Sequence, residues 1–170
     1  MQPRTGRGSL LAVVAVSLVV VLAGTMLAQS SRPTNVGMWR LNVAKSKAVA
    51  GTVPVSKSAT FTVAVAGAGA KVTVDAVPAD GTVRHWAYTA NYDGKDYPIT
   101  GNCQYGDAVA VTRVDDNTTN SIYKQGGKVT ITQTAVVSAD RKTMTITGTG
   151  TNPLGQTVNS VAVYDKRLGG

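Results

Sequence analysis

The chain has 170 residues and a formal net charge of +8, with seventeen Lys or Arg residues against nine acidic residues. All nine acidic residues are Asp, and the lack of Glu, a good helix former, argues against a mainly helical protein. A single cysteine and a single histidine exclude an intramolecular disulfide and leave few candidates for catalysis or metal binding.

The first 28 residues have the layout of a secretory signal peptide. Arg4 and Arg7 form a short positive region, Leu10–Leu22 is almost entirely apolar, and small residues follow up to Ala28. The apolar segment is shorter than the roughly 20 residues that span a bilayer, so we expect cleavage after Ala28 rather than an uncleaved anchor. Thr25, the alternative cleavage site, stands where a lipoprotein signal has its cysteine, so we expect no lipidation. The predicted location is therefore periplasmic or secreted, with no membrane attachment after cleavage.

From residue 35 onward, apolar and polar side chains alternate with a period of two, which is typical of β-strands with one buried face. Val72 and Val74, for example, are each flanked by polar neighbours. We predict strands near 36–41, 58–66, 70–77, 82–91, 96–100, 107–113, 120–125, 128–137, 143–149 and 157–165. Short turns rich in Gly and Asp separate most of these segments, which favours antiparallel neighbours in a meander.

A meander of this length must close on itself or protect its edge strands. We therefore predict a signal peptide over 1–28, a short linker over 29–34 and one all-β domain over 35–167. The predicted fold is a single antiparallel up-and-down β-barrel of about 8–10 strands with minimal helix, and an open β-sandwich is the alternative. The one long connection, 42–57, has room for at most a helical turn near Val43–Lys47.

Two motifs at the ends of this domain resemble the calycin superfamily, which includes the lipocalins and the fatty-acid-binding proteins. Gly37-Met38-Trp39 is similar to the G-x-W motif of their first strand, and Val161–Arg167 is similar to their closing strand. The chain also resembles a type of small exported bacterial protein. Fatty-acid-binding proteins place a helix-turn-helix lid after the first strand, and the segment 42–57 is too short for one. The resemblance therefore implies a barrel without implying fatty-acid binding.

The same resemblance implies a way of closing the barrel. Trp39 would seal its base, with a cation from the end of the last strand, Lys166 or Arg167, lying over the indole ring. Such an arrangement is a cation–π contact, which the electron-rich face of tryptophan favours.

An aromatic cluster in the middle of the chain is the strongest candidate for a ligand site. It comprises Trp86, Tyr88, Tyr92, Tyr97 and Tyr105. The predicted ligand contacts are the first four of these aromatic residues and the neighbouring His85. Aromatic rings with polar tips suit a pocket that holds a partly apolar ligand. The alternative interpretation is that these side chains only fill the β core, which needs such residues for packing.

The few reactive side chains do not form a recognisable catalytic or metal-binding set. His85 is a candidate general base or polar contact in a cavity, but alternation points it away from Trp86, and a strand histidine bonded to a neighbour is the alternative. Cys103 is far from His85 in sequence and fits no metal-ligand spacing. We therefore expect no enzyme, no cofactor and no metal, and we interpret Cys103 as a half-buried apolar residue.

The positive charge is spread thinly along the chain. Doublets occur only at Arg141-Lys142 and Lys166-Arg167, and no run reaches the density of a nucleic-acid-binding arm. We expect no nucleic-acid partner and a monomer in solution. Together, these features favour an exported, non-enzymatic protein that binds a small, partly apolar or amphipathic ligand inside the barrel. The alternative is a structural or interaction protein of the cell envelope, with a filled β core.

Overall fold

The structure, a computed structural model, describes residues 33–167. The predicted signal peptide, with its cleavage site, and most of the predicted linker lie outside the described residues. Within 33–167 the chain forms twelve β-strands and one short 3₁₀ turn at Val43–Lys45, inside the segment for which a helical turn was expected. The strands are β1 (Gly37–Leu41), β2 (Lys47–Ala48), β3 (Ser58–Ala66), β4 (Gly69–Val77), β5 (Arg84–Asn91), β6 (Asp93–Pro98), β7 (Thr100–Gly101), β8 (Ala108–Arg113), β9 (Thr118–Gln125), β10 (Lys128–Val137), β11 (Thr143–Thr151) and β12 (Thr157–Arg167).

The strands form one antiparallel sheet that curls into a nearly closed barrel. Their order is β6-β8-β9-β10-β11-β12-β1-β3-β4-β5-β7, with the two-residue β2 attached to β12. β1 lies between β12 and β3, so the first and last strands are neighbours, with Trp39 opposite Lys166. The prediction of an all-β barrel is confirmed, and the open sandwich is not the arrangement observed.

The sheet is incomplete where the chain passes from β6 to β7. The sequence predicted a single strand near 96–100, whereas the structure has two short strands on either side of Ile99, which form the two ends of the sheet. β6 pairs with β8, and β7 pairs with β5. β7 approaches β5 so closely that a Cβ at Gly101 would lie 2.2 Å from the carbonyl oxygen of His85, so this pairing needs glycine.

Alternation along each strand separates the core from the surface. On β4, Ala70, Val72 and Val74 point inward, while Lys71 and Asp75 point outward. The large side chains that are fully buried come from five different strands: Trp39, Tyr123, Ile131, Val74 and Val109. The core therefore fills the inside of the barrel, and burial of this apolar surface is the main stabilising term.

The G-x-W motif closes one part of this core. Trp39 is fully buried, and its Nε1 donates a hydrogen bond of 2.7 Å to the carbonyl oxygen of Asn35. Of the two candidate cations, Lys166 lies over the ring, with Nζ 4.9 Å from the ring centroid, and Arg167 is exposed. Gly37 has a φ of +134°, and a Cβ there would lie 2.9 Å from Cε of Lys166, so glycine leaves room for the lysine stem.

Candidate ligand-binding site in the barrel interior

Strand β5 supplies the central aromatic residues of the interior. Its alternation turns Trp86 and Tyr88 inward, where they are 3% and 8% exposed. Trp86 makes an edge-to-face contact with Tyr105, and Tyr105 makes another with Tyr123 on β9, at ring-centroid distances of 6.3 Å and 5.3 Å. These contacts connect β5 through aromatic rings to β9, a strand with which it is not paired.

Three small cavities follow one another through the interior. The first, here called the Tyr88 cavity, measures about 50 Å³. It is lined by Asn35, Phe61, Val63, Ala70, Val72, Tyr88, Ala90, Tyr92, Val111, Thr119, Ser121, Tyr123, Gln133, Ala135, Met144 and Ile146.

The second, the Trp86 cavity, has the same volume of about 50 Å³. It is lined by Ser56, Ala59, Phe61, Val74, Ala76, Trp86, Gln104, Tyr105, Gln133, Ile146, Gly148, Ser160, Ala162 and Tyr164. Phe61, Gln133 and Ile146 line both cavities, so these two spaces adjoin.

The third, the loop cavity, is again about 50 Å³ and lies against the long connection through Val53, Pro54 and Val55. It shares a wall that includes Tyr105 and Tyr164 with the Trp86 cavity. A single water molecule needs roughly 10–15 Å³ of such volume, so each cavity has room for a few atoms of that size. A small molecule that extends through two of these spaces is the occupant that their size favours.

The walls of all three cavities are uncharged. No Lys, Arg, Asp or His lines them within residues 33–167. Burial raises the pKa of Tyr88 to about 12, although the neighbouring Tyr123 and Ser121 side chains oppose the shift. Burial also raises the pKa values of Tyr105 and Tyr123. These tyrosines therefore remain neutral hydroxyl groups at ordinary pH.

Several polar atoms of the interior lack a hydrogen-bond partner among the described residues. They are Nε1 of Trp86, the hydroxyl of Tyr92, Oδ1 of Asn35 and, beside the cavities, Nε of Arg84, all of them buried. The Tyr92 and Asn35 groups face each other, because the Asn35 side chain opposes the rise that burial causes in the pKa of Tyr92. No hydrogen bond within 33–167 engages the side-chain amide of Gln133. Buried polar groups are normally paired, so Nε1 of Trp86 and the partly buried amide of Gln133 are available to a polar group placed in the adjoining cavities.

The predicted site residues divide into two groups. Trp86, Tyr88 and Tyr92 line the cavities. Tyr97 on β6 lines none of them, and its hydroxyl donates instead to the Asp93 carboxylate at 3.1 Å.

His85 lies on the outer face of β5, 61% exposed, with Nδ1 2.6 Å from Oδ1 of Asp75. It faces away from the interior because it alternates with Trp86 on the same strand. The structure therefore brings three of the five predicted ligand contacts together and leaves Tyr97 and His85 elsewhere.

Sequence reasoning missed Gln133 as a member of the site. It occupies an inward position of β10, between the inward-facing Ile131 and Ala135. Strict alternation along that strand was the available signal, because a polar amide on an otherwise apolar face stands out.

The described part of the chain offers little else for chemistry. It has no group of three or more side chains arranged to hold a metal ion. Between 33 and 167, no helix has the length and apolar character needed to cross a membrane. Cys103 packs against the core, and burial raises the pKa of its thiol, which disfavours the nucleophilic thiolate.

Comparison with known proteins finds no family model, no curated protein and no solved structure that matches this chain significantly. Function is therefore inferred from the geometry of the barrel.

Proposed function

We propose that this is an exported, non-enzymatic protein that binds a small, partly apolar molecule inside a lipocalin-like barrel. The observation that carries the proposal is the row of adjoining, uncharged cavities whose walls mix apolar side chains with polar groups that lack partners among the described residues. Apolar walls supply affinity through burial, and a few polar groups orient the ligand. Export is supported by the signal-peptide pattern of the first 28 residues.

A binding role without turnover is supported by the position of the titratable groups. His85 and Asp75 lie close together, but on the outer surface of the barrel. Cys103 does not line any of the three cavities, and its raised pKa keeps it protonated. A general base must reach the group from which it takes a proton, and neither residue faces the interior space.

Filling the Tyr88 cavity tests the proposal. Ala90 is buried in its wall, so Ala90→Leu places a larger apolar side chain in the space that the ligand would occupy. Ala64 lies on the exposed face of β3, and Ala64→Leu is the matched control. Extra volume in a packed interior costs about 1–3 kcal/mol, so circular dichroism should show that both variants remain folded.

Titration calorimetry with 1-octanol provides the measurement. We expect saturable binding to the wild-type chain, binding at least about tenfold weaker to Ala90→Leu, and unchanged binding to Ala64→Leu. If the folded wild-type protein shows no saturable binding, or Ala90→Leu binds as well as the control, the proposal is rejected. Capture of an envelope protein by a chain that binds no octanol would instead support a structural role.

A further inference from the structure

The proposed function does not specify the chemical class of the ligand. A residue at the junction of two cavities indicates that class. Three side chains line both the Tyr88 cavity and the Trp86 cavity: Phe61, Ile146 and Gln133. Gln133 is the polar one among them. A molecule that extends through both spaces must pass its amide.

The surroundings of Gln133 leave its amide available. Its partner on β11 is Gly148, and a Cβ there would lie 3.5 Å from Cγ and 3.6 Å from Nε2 of Gln133. Gly148 therefore lies beside the amide and has no side chain that could hydrogen-bond to it. On the other side, Gln133 is opposite Ser121 of β9. A glutamine amide both donates and accepts, so it can engage a carbonyl or a hydroxyl group.

A second polar group, the indole N–H of Trp86, also favours a ligand that has a carbonyl or hydroxyl group. Trp86 is 3% exposed, and its Nε1 has no acceptor among the described residues. The indole N–H only donates, so it favours a ligand with an acceptor oxygen in the Trp86 cavity. A buried donor left without an acceptor destabilises the protein, and a ligand oxygen would recover part of that loss.

The lack of charged side chains in the cavity walls disfavours an ionised ligand. Among residues 33–167, the ionisable side chains that line the Tyr88 and Trp86 cavities are tyrosines, whose pKa values are raised by burial. The nearest cation along β5 is Arg84, which lines none of the cavities. Its guanidinium is ion-paired with Asp80 at 3.7 Å, whereas its buried Nε has no partner among the described residues. A carboxylate or an ammonium group would lose its hydration there without a counter-ion in the cavity wall, so its binding should be much weaker than that of an uncharged molecule.

Building on the proposed function, we propose that the interior selects an uncharged amphipathic molecule and that Gln133 is its specificity-determining residue. The apolar part of the ligand occupies the Tyr88 cavity. Its carbonyl or hydroxyl group binds the Gln133 amide and faces the Trp86 cavity.

The test compares two molecules of the same chain length, 2-octanone and octanoate, by titration calorimetry at neutral pH. We expect the ketone to bind the wild-type protein at least about tenfold more tightly than the carboxylate. Gln133→Met keeps the length of the side chain and removes the amide, so it should weaken ketone binding about five- to tenfold. Thr132→Met, on the exposed face of the same strand, is the control and should leave the affinity unchanged.

Two outcomes overturn this inference while leaving the proposed function intact. The first is that octanoate binds as tightly as 2-octanone. If Arg84→Met then abolished octanoate binding, Arg84 would be identified as the anchor of an anionic ligand. The other is a Gln133→Met variant that binds the ketone like the wild type. If the wild type binds neither of these molecules nor 1-octanol, the proposed function itself fails.

Discussion

Trp39 and Trp86 are both buried, yet their indole N–H groups have opposite surroundings. Nε1 of Trp39 donates to the carbonyl oxygen of Asn35, and Lys166 covers the ring. Nε1 of Trp86 has no acceptor among the described residues, and the ring borders a cavity. An indole N–H that is paired within the protein stabilises the fold, whereas an unpaired indole N–H beside a cavity is available to a ligand. The first tryptophan therefore has a structural role, and the second belongs to the candidate site.

The largest effect should come from removing the structural tryptophan. Trp39→Ala creates a cavity in a fully buried position and should lower the free energy of unfolding by about 3–5 kcal/mol. Urea denaturation followed by circular dichroism measures this loss.

The matched pair Trp39→Phe and Trp86→Phe sharpens the comparison, because both changes keep an aromatic ring. Trp39→Phe leaves the carbonyl oxygen of Asn35 without its donor, whereas Trp86→Phe removes a donor that has no acceptor among the described residues. Trp39→Phe should therefore be the more destabilising of the two. Equal losses of stability would contradict the division into a structural and a binding tryptophan.

The next largest loss in the free energy of unfolding should occur at alkaline pH, where the buried tyrosines of the interior ionise. Burial raises the pKa of Tyr88 from 10.0 to about 12, so the folded protein holds this proton more tightly than the unfolded chain does. The resulting stabilisation is fully present below pH 10 and is lost as the pH rises toward 12. Denaturation at a series of pH values should show this decline, with a shallower slope for Tyr88→Phe. Stability that stays constant across this window would argue against a dry interior.

Substitution of Gly37 should lower the free energy of unfolding by an intermediate amount. Gly37→Ala places a Cβ at a φ of +134° and 2.9 Å from Cε of Lys166, and should cost about 1–3 kcal/mol. The flexible lysine can move aside, at the expense of its contact with Trp39. The cost should therefore be smaller in a Lys166→Met background, and a double-mutant cycle by urea denaturation measures the difference. Strictly additive effects would show that the lysine and the glycine act independently.

The smallest effect should come from the cation over the ring of Trp39. Lys166→Met keeps the aliphatic contact and removes the charge, so it should cost about 0.5–1 kcal/mol. Arg167→Met is the control, because Arg167 is exposed, and it should change stability little. A larger effect at Arg167 than at Lys166 would reverse the assignment of the closing cation.

Local patterns were sufficient to predict the long strands and the closure of the barrel, whereas the two-residue β2 (Lys47–Ala48) was missed within the connection 42–57. Alternation such as that of Val72 and Val74 depends only on neighbouring residues, and G-x-W placed Trp39 at the junction of the first and last strands. The predicted strand 96–100 is instead two strands, β6 and β7. Gly101 of β7 lies close to the backbone of His85, which is sixteen residues earlier. A single-sequence pattern contains no information on such a long-range fit.

The candidate site was predicted only in part for a related reason. Trp86 and Tyr88 were found because they share one face of one strand. Gln133 adjoins the same cavities only because the curvature of the sheet brings β10 across the interior from β5, to which it is not paired. Tyr97 was grouped with Trp86 by proximity in sequence, but it follows the bend into β6 and pairs with Val109 of β8. Proximity along the chain is a poor guide to which side chains meet inside a barrel.

The central claim is tested most directly by the two indole N–H signals in a ¹H–¹⁵N correlation spectrum during titration with 1-octanol. We predict that the Trp86 signal shifts downfield and saturates as its N–H gains an acceptor. The Trp39 signal should stay in place, because its N–H is already bonded to Asn35. In Ala90→Leu, the Trp86 shift should require a much higher octanol concentration. A Trp86 signal that does not move while the Trp39 signal does would contradict the account.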